Sequence, residues 1–367
     1  MGYDGCRAYP HATIEAPPAH SVLVGVLDAG IDYNAPSIRC HIHTFSTPST
    51  TGRTYGVGRD LLGGLNDYFP NFQIFKNESI ELSDRIMVRE HGTHVAQLTI
   101  LNDSAIGIIP VRILPVAKQE GDDELQTNDK PRYMSNLAER MLNSMVDGAA
   151  FAVEHGAQVI NMSLGFNVEE LPLENQIHFM AQVEARMTQA LRTTWRETLF
   201  VVASGNEFTE IDRQTQAVPM TLDVDSIIGV GALLDSHHTI GNYSNFGRYV
   251  DVYIRGSDLY SAVPGGWAPL SGTSMAAPIV AHLAAQLKVI DPTLTPAQLR
   301  GLIMNTADSV SLPVQNSDPS LPSDHNRLVR VVNIYKARRK ARELLAHPET
   351  RSQWLTAPFA HGQAPRG

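Results

Sequence analysis

"SGTSMAAP", residues Ser271 to Pro278, stands directly before the apolar run "IVAHLAAQLKVI" (279–290). A buried helix needs only the run, so the hydroxyls and the glycine in front of it ask for a second explanation. A serine at a helix N-terminus lies beside unpaired backbone N–H groups and the positive end of the helix dipole. Those donors can hold an oxyanion. Pro278 falls at the edge of the first turn, where a missing N–H costs least. Ala276 and Ala277 let the helix start pack tightly. The stretch therefore reads as a presented nucleophile, Ser274, fixed rigidly by the core helix behind it.

Working outward, "SVLVGVLDAG" (21–30) holds a continuous apolar run from Val22 to Leu27 that ends at Asp28 and Gly30. Runs of this kind mark strands buried on both faces, as in parallel sheets. They recur at 111–117, 157–165, 198–206, 226–233 and 249–256. Between them, "LAERMLNSMVDGAAFAVEHG" (137–156) has helical apolar spacing and stops at Gly156. Strands alternating with helices predict an α/β fold with a mostly parallel central sheet. Residues 44–86, 118–132 and 308–327 read as loops from their Gly, Ser, Pro and acidic content. Residues 1–20 read as an irregular N-terminal arm or short leader, 21–345 as one catalytic domain, and 346–367 as a mobile tail after a basic amphipathic helix near 331–349.

Of 367 residues, 43% are hydrophobic and 18% charged, ordinary for a protein with a sizeable core. The net charge of −9 argues against nucleic-acid binding, which needs basic surface. No uninterrupted apolar stretch reaches the roughly 18 residues of a membrane helix. The N-terminus lacks a basic-then-apolar secretory pattern, which points to a cytoplasmic protein, or to a secreted one if the chain has been trimmed. Cys6 and Cys40 are the two cysteines. They leave a bridge open without making a disulfide scaffold.

In open α/β sheets, ligands bind beyond the carboxyl ends of strands. Asp28 ends the first run, Ser163-Leu164-Gly165 end another, and Ala203-Ser204-Gly205 lead into Asn206 at the end of a third. "EHGTHVAQLTI" places His91 just ahead of an apolar helical run, as Ser274 is placed in its own segment. Taken singly, Ser274 reads as a helix cap, Asp28 and Asn206 as turn residues, and His91 as structural. Together they supply an orienting carboxylate, a base, a nucleophile and an oxyanion donor. The chain order Asp, His, Ser separates this arrangement from the other two orders in which the triad occurs. His91 and His94 lack the glutamate and spacing of a zinc helix, so His94 reads as a packed residue. "KARRKAR" (336–342) reads as a solvated helix face.

The stretches "VLDAGID", "HGTHVA", "INMSLG", "VVASGNE", "IIGVGA", "NYSNFG" and "LSGTSMAAP", in this order from about residue 22 to 307, resemble the subtilisin-family serine proteases (subtilases). The resemblance implies a three-layer fold with helices on both faces of the sheet. It implies Asp28 orienting His91, His91 as general acid/base, Ser274 as nucleophile and Asn206 in the oxyanion hole. Ser163, Leu164, Gly165, Ala203, Ser204 and Gly205 would border a polypeptide substrate. The expected function is a serine endopeptidase working through an acyl-enzyme. The alternatives are a transpeptidase or macrocyclase with the same triad, and a non-catalytic peptide-binding pseudoprotease. No cofactor is needed for the chemistry. "LNDSAIG" (101–107) faintly resembles a structural calcium loop, with Asn102 and Asp103 supplying oxygens. Ala29 stands where relatives carry Ser or Thr, and Gln97 where they carry a small residue.

Overall fold

In the computed structural model the run at Val22–Asp28 forms a strand paired in parallel with Ile106–Arg112, in register from Val22↔Ile106 to Asp28↔Arg112. The structure describes residues 20–46, 55–61, 82–114, 126, 128–164, 166–167, 171, 173–211, 217–235, 239–313 and 326–355. They fall into two compact units, the first within 1–160, 166–187 and 260–268, the second within 161–165, 188–259 and 269–367. The two residues of Arg59–Asp60 add a further parallel pairing to Ile106–Arg112 in the first unit. The strand expected at 111–117 lies earlier, because Ile106, Ile108, Ile109 and Val111 already form a buried run around Pro110.

Two helices pack on Val22–Asp28, Leu82–Ile100 and Lys130–Glu154. The second approaches so closely that a Cβ on Gly25 would lie 2.9 Å from the Ala152 methyl group. Its start lies within the stretch read as a surface loop. Asp129 caps it by accepting from Arg132 N, and a proline stands in its first turn, where the missing N–H is harmless. The first helix likewise begins nine residues before His91, so His91 sits in mid-helix and not at a helix start. Cys40 is disulfide-bonded.

In the second unit, Leu199–Ala203, Ile227–Leu233 and Val252–Arg255 pair in parallel and are buried almost throughout. The Ser274 helix, Thr273–Ile290, packs across these strands. It is long and apolar enough to span a membrane by composition, but 72% of it is buried inside the protein. Segment 308–327, read as irregular, instead supplies part of an antiparallel hairpin, Asp308–Pro313 with Asn326–Val331. Leu312, Val329 and Val331 are buried, with the exposed Ser311 and Leu328 and the half-buried Arg330 beside them. Their two-residue alternation outweighs the Ser and Pro content that suggested a loop. The basic helix is present at Ile334–Ala346, capped by Asn333, with Ala337, Ala341 and Leu344 buried. A further helix, Pro348–Leu355, follows it within the expected tail, and Arg351 Nη2 lies 2.7 Å from Asp291 Oδ2.

A buried ion pair ties this unit together. Arg300 Nη2 donates to Asp251 Oδ1 at 2.6 Å, and Gly229 N donates to Asp251 Oδ2 at 2.9 Å. Asp251→Ala takes the buried carboxylate away from Arg300, whose Nη1 keeps the exposed Asp225 Oδ1 at 3.7 Å, so it should cost about 3 kcal/mol in urea unfolding, the low end for a broken buried pair. A loss under about 1 kcal/mol, the level of an exposed pair, would contradict that reading.

Candidate functional site

Asp28 closes its strand with a side chain buried to 1% exposure. His91 Nδ1 lies 2.8 Å from Asp28 Oδ1, and Ala29 N donates to the same oxygen at 2.7 Å. The bond fixes the imidazole tautomer with the proton on Nδ1, leaving Nε2 as the atom that exchanges protons. Asp28 Oδ2 is buried without a hydrogen-bond partner among the described residues. The methyl group of Ala29 offers no hydroxyl there, so the carboxylate is held through Oδ1 alone.

The backbone around this pair explains the flanking glycine. A Cβ on Gly92 would lie 2.1 Å from Gly30 O and 3.0 Å from Asp28 Oδ1. Thr93 Oγ1 accepts from Asp32 N at 2.9 Å, binding the His91 helix to the turn after Asp28. Burial works against a charged His91, but the neighbouring Asp28 charge and hydrogen bond outweigh it, so the imidazole pKa lies above its ordinary value. His94 is packed as expected, with Nε2 3.2 Å from Ala268 O.

The second unit holds the other predicted residues. Ser274 occupies the first turn of its helix, after Gly272 with φ of 154°. Pro278, four residues on, has no N–H to give to the Ser274 carbonyl, leaving that acceptor free. Ser163 Oγ takes it at 2.8 Å, and Ser274 Oγ in turn donates to Ser163 O at 3.1 Å. Asn161 Nδ2 donates to Ser163 Oγ at 3.0 Å and completes the chain. The proline thus explains why a serine ends the strand Val159–Met162: its hydroxyl replaces the missing helical donor.

Asn206 is oriented by Thr273, the residue before Ser274. Its Oδ1 accepts from Thr273 N at 2.9 Å and from Thr273 Oγ1 at 3.1 Å, while Gly205 N donates to Thr273 Oγ1 at 3.1 Å. With the carbonyl end held, the NH₂ end of the exposed carboxamide is left to donate elsewhere. Thr273 and Asn161 were not singled out from sequence, although both lie inside the motifs "SGTSMAAP" and "INMSLG". The partner of Thr273 lies 67 residues away and leaves no local pattern, whereas Asn161 and its partner Ser163 both stand in "INMSLG".

Ser163, Ala203 and Ser204 are buried, and Leu164 is half-buried. Gly165 lies outside the described residues, as do His237, His238 and the proposed N-terminal arm before His20. In the "LNDSAIG" turn, Asn102 Oδ1 accepts from Gln97 Nε2 at 3.3 Å and Asp103 Oδ1 from Ala105 N at 3.1 Å. Among the described residues no group of three or more His, Cys, Asp or Glu side chains is placed to hold a metal.

The chain is similar to known proteins in both sequence and fold. It is 28% identical over 295 residues to the thermophilic serine proteinase of Bacillus sp. (strain AK1), covering 78% of this chain and 57% of that one. It is 30% identical over 222 residues to subtilisin DY of Bacillus licheniformis, covering 60% of this chain and 71% of the relative. The chain therefore spans little more than half the length of the first of these. Among solved structures, a cold-adapted subtilisin-like serine proteinase superposes with a TM-score of 0.53 at 22% identity, over 90% of this chain and 98% of that one. A lanthipeptide protease superposes at 0.59 and 19% identity, over 88% and 89%. These likenesses establish the subtilisin-like α/β fold. A sequence profile of the subtilase family matches residues 19–330, most of the chain, and this protein belongs to that family.

Proposed function

We propose that this protein is a serine endopeptidase that cleaves polypeptides through an acyl-enzyme, with Asp28, His91 and Ser274 as its triad. The observation that carries the reading is the 2.8 Å bond from His91 Nδ1 to Asp28 Oδ1, which leaves Nε2 to take a proton. Ser274 Oγ would exchange its bond to Ser163 O for one to His91 Nε2 and attack the scissile carbonyl carbon. The imidazole takes the hydroxyl proton and later gives it to the leaving amine. Water, activated by the same nitrogen, then releases the acyl group. Asn206 Nδ2 and the Ser274 backbone N–H would receive the developing oxyanion. The backbone of Ser163 and Leu164 would pair with extended substrate, supplying binding with modest demand on each side chain.

Digestion of a proteome-derived peptide library, read by product mass, tests the reaction. The two fragments of each cleavage should together weigh one water more than the parent peptide. Ligated or cyclised products lacking that water would identify a transpeptidase, and intact peptides with no Ser274 acylation would identify a binding protein.

Asn206→Ala should lower kcat by about 10²–10³ with KM little changed, a magnitude carried over from the same donor in subtilisin. An unchanged kcat would remove Asn206 from the oxyanion site. The acid limb of the kcat/KM profile should lie above the usual imidazole range near 6.5, because His91 works only when neutral and its pKa is raised. A flat profile from about pH 5 to 8 would contradict His91 as the base.

A further inference from the structure

The motif "NYSNFG" (242–247) has no part in the chemistry above, yet its asparagine is tied to the loop that carries Asn206. Asn245 is buried to 3% exposure. Its Nδ2 donates to Ser204 O at 2.8 Å and to Glu207 Oε2 at 2.6 Å. Its Oδ1 accepts from Glu207 N at 3.1 Å and Thr209 N at 2.8 Å. Its backbone joins in, with Asn245 N donating to Gly205 O at 3.0 Å and Ser204 Oγ donating to Asn245 O at 3.2 Å. One carboxamide therefore holds the chain on both sides of Asn206. Gly205 makes the close approach feasible: its φ is +97°, and a Cβ there would lie 2.5 Å from both Asn245 Nδ2 and Glu207 Oε2. Phe208, at φ 54°, continues the bent path and donates its N–H to Tyr243 O at 2.9 Å.

We infer that Asn245 is a positioning residue for the oxyanion donor, clamping loop 204–209 so that Asn206 stands ready before substrate arrives. Thr273 sets which end of the Asn206 amide faces out, and Asn245 sets where its backbone stands. The inference rests on the proposed peptidase reading. Preorganised donors stabilise the transition state more than the bound substrate, so a loosened clamp lowers kcat and spares KM.

Asn245→Asp tests this. The aspartate keeps both backbone N–H contacts but loses both donors and sets a carboxylate against Glu207. We expect kcat to fall about 10- to 100-fold, in line with a buried acceptor left unpaired, while KM stays within about threefold. Glu207→Gln alone should be near wild type, since its amide oxygen still accepts from Asn245. Combined with Asn245→Asp it should recover part of the lost kcat, because the glutamine NH₂ can donate to the new carboxylate and ends the repulsion, while Ser204 O still lacks the donor it had. A purely structural role would lower the melting temperature and leave kcat at working temperature unchanged.

Mass mapping of a fluorophosphonate adduct on wild-type Ser274 runs alongside. An unlabelled wild type would overturn the peptidase reading and this inference with it. A labelled wild type with unchanged kcat in Asn245→Asp, or without recovery in the double variant, would overturn the clamp alone. Should Asn245→Asp lose its cooperative melt, Glu207→Ala decides instead: lowered kcat with KM held supports the clamp, and unchanged kcat overturns it.

Discussion

Ser274→Ala should reduce kcat by about 10⁶ and abolish fluorophosphonate labelling, a magnitude carried over from the nucleophile of subtilisin. On the proposed reading the loss should be this large because the substitution removes the atom that would bond to the acyl group, leaving only binding and oxyanion stabilisation. The fold should survive the change. The Ser274 backbone carbonyl keeps its bond from Ser163 Oγ, and the removed hydroxyl gives up only its bond to Ser163 O. A melting temperature near wild type with activity gone is the expected pair of results. Labelling retained at another serine would refute the assignment.

Asp28→Asn should lower kcat by about 10⁴, the size of loss known when a triad aspartate becomes an amide. Here the local geometry makes the substitution especially awkward. Both His91 Nδ1 and Ala29 N address Oδ1, and Oδ2 is buried with no partner among the described residues. An asparagine that keeps its oxygen at Oδ1 buries an NH₂ group with no acceptor. One that flips faces the Ala29 N–H with a donor and forces the wrong imidazole tautomer. The variant also removes the charge that raises the His91 pKa, leaving burial to lower it. Its residual activity should therefore show an acid limb at lower pH than wild type. A limb that does not move would mean that Asp28 does not govern the protonation of His91.

Much of this was legible in the chain because the strands are apolar runs with a chemical residue at the end. Val22–Leu27 delivering Asp28, and Leu199–Ala203 delivering Asn206, are patterns that a buried parallel strand imposes on its own sequence. The elements misplaced were those whose signal is long-range or diluted. The hairpin Asp308–Pro313 with Asn326–Val331 hides its alternation among serines and prolines. The helix Lys130–Glu154 begins inside a polar stretch, where Asp129 and an early proline do the work of initiation. The supporting residues were harder still. Local sequence marks Pro278 as a tolerated break in a first turn, but the Ser274 carbonyl it leaves open accepts from Ser163 Oγ, 111 residues before Ser274. Asn245 touches residues about 40 positions earlier, and hydrogen bonds of that separation leave no periodicity to read.

The most direct test is a crystal structure of the protein inactivated by a peptidyl phosphonate. The account predicts a phosphorus–oxygen bond to Oγ of residue 274. One phosphonyl oxygen should then lie within roughly 3 Å of both the Asn206 carboxamide nitrogen and the Ser274 backbone nitrogen. The imidazole of residue 91 should reach the oxygen that marks the leaving group. An adduct on a different side chain, or an imidazole too distant for any hydrogen bond to the trapped group, would contradict it.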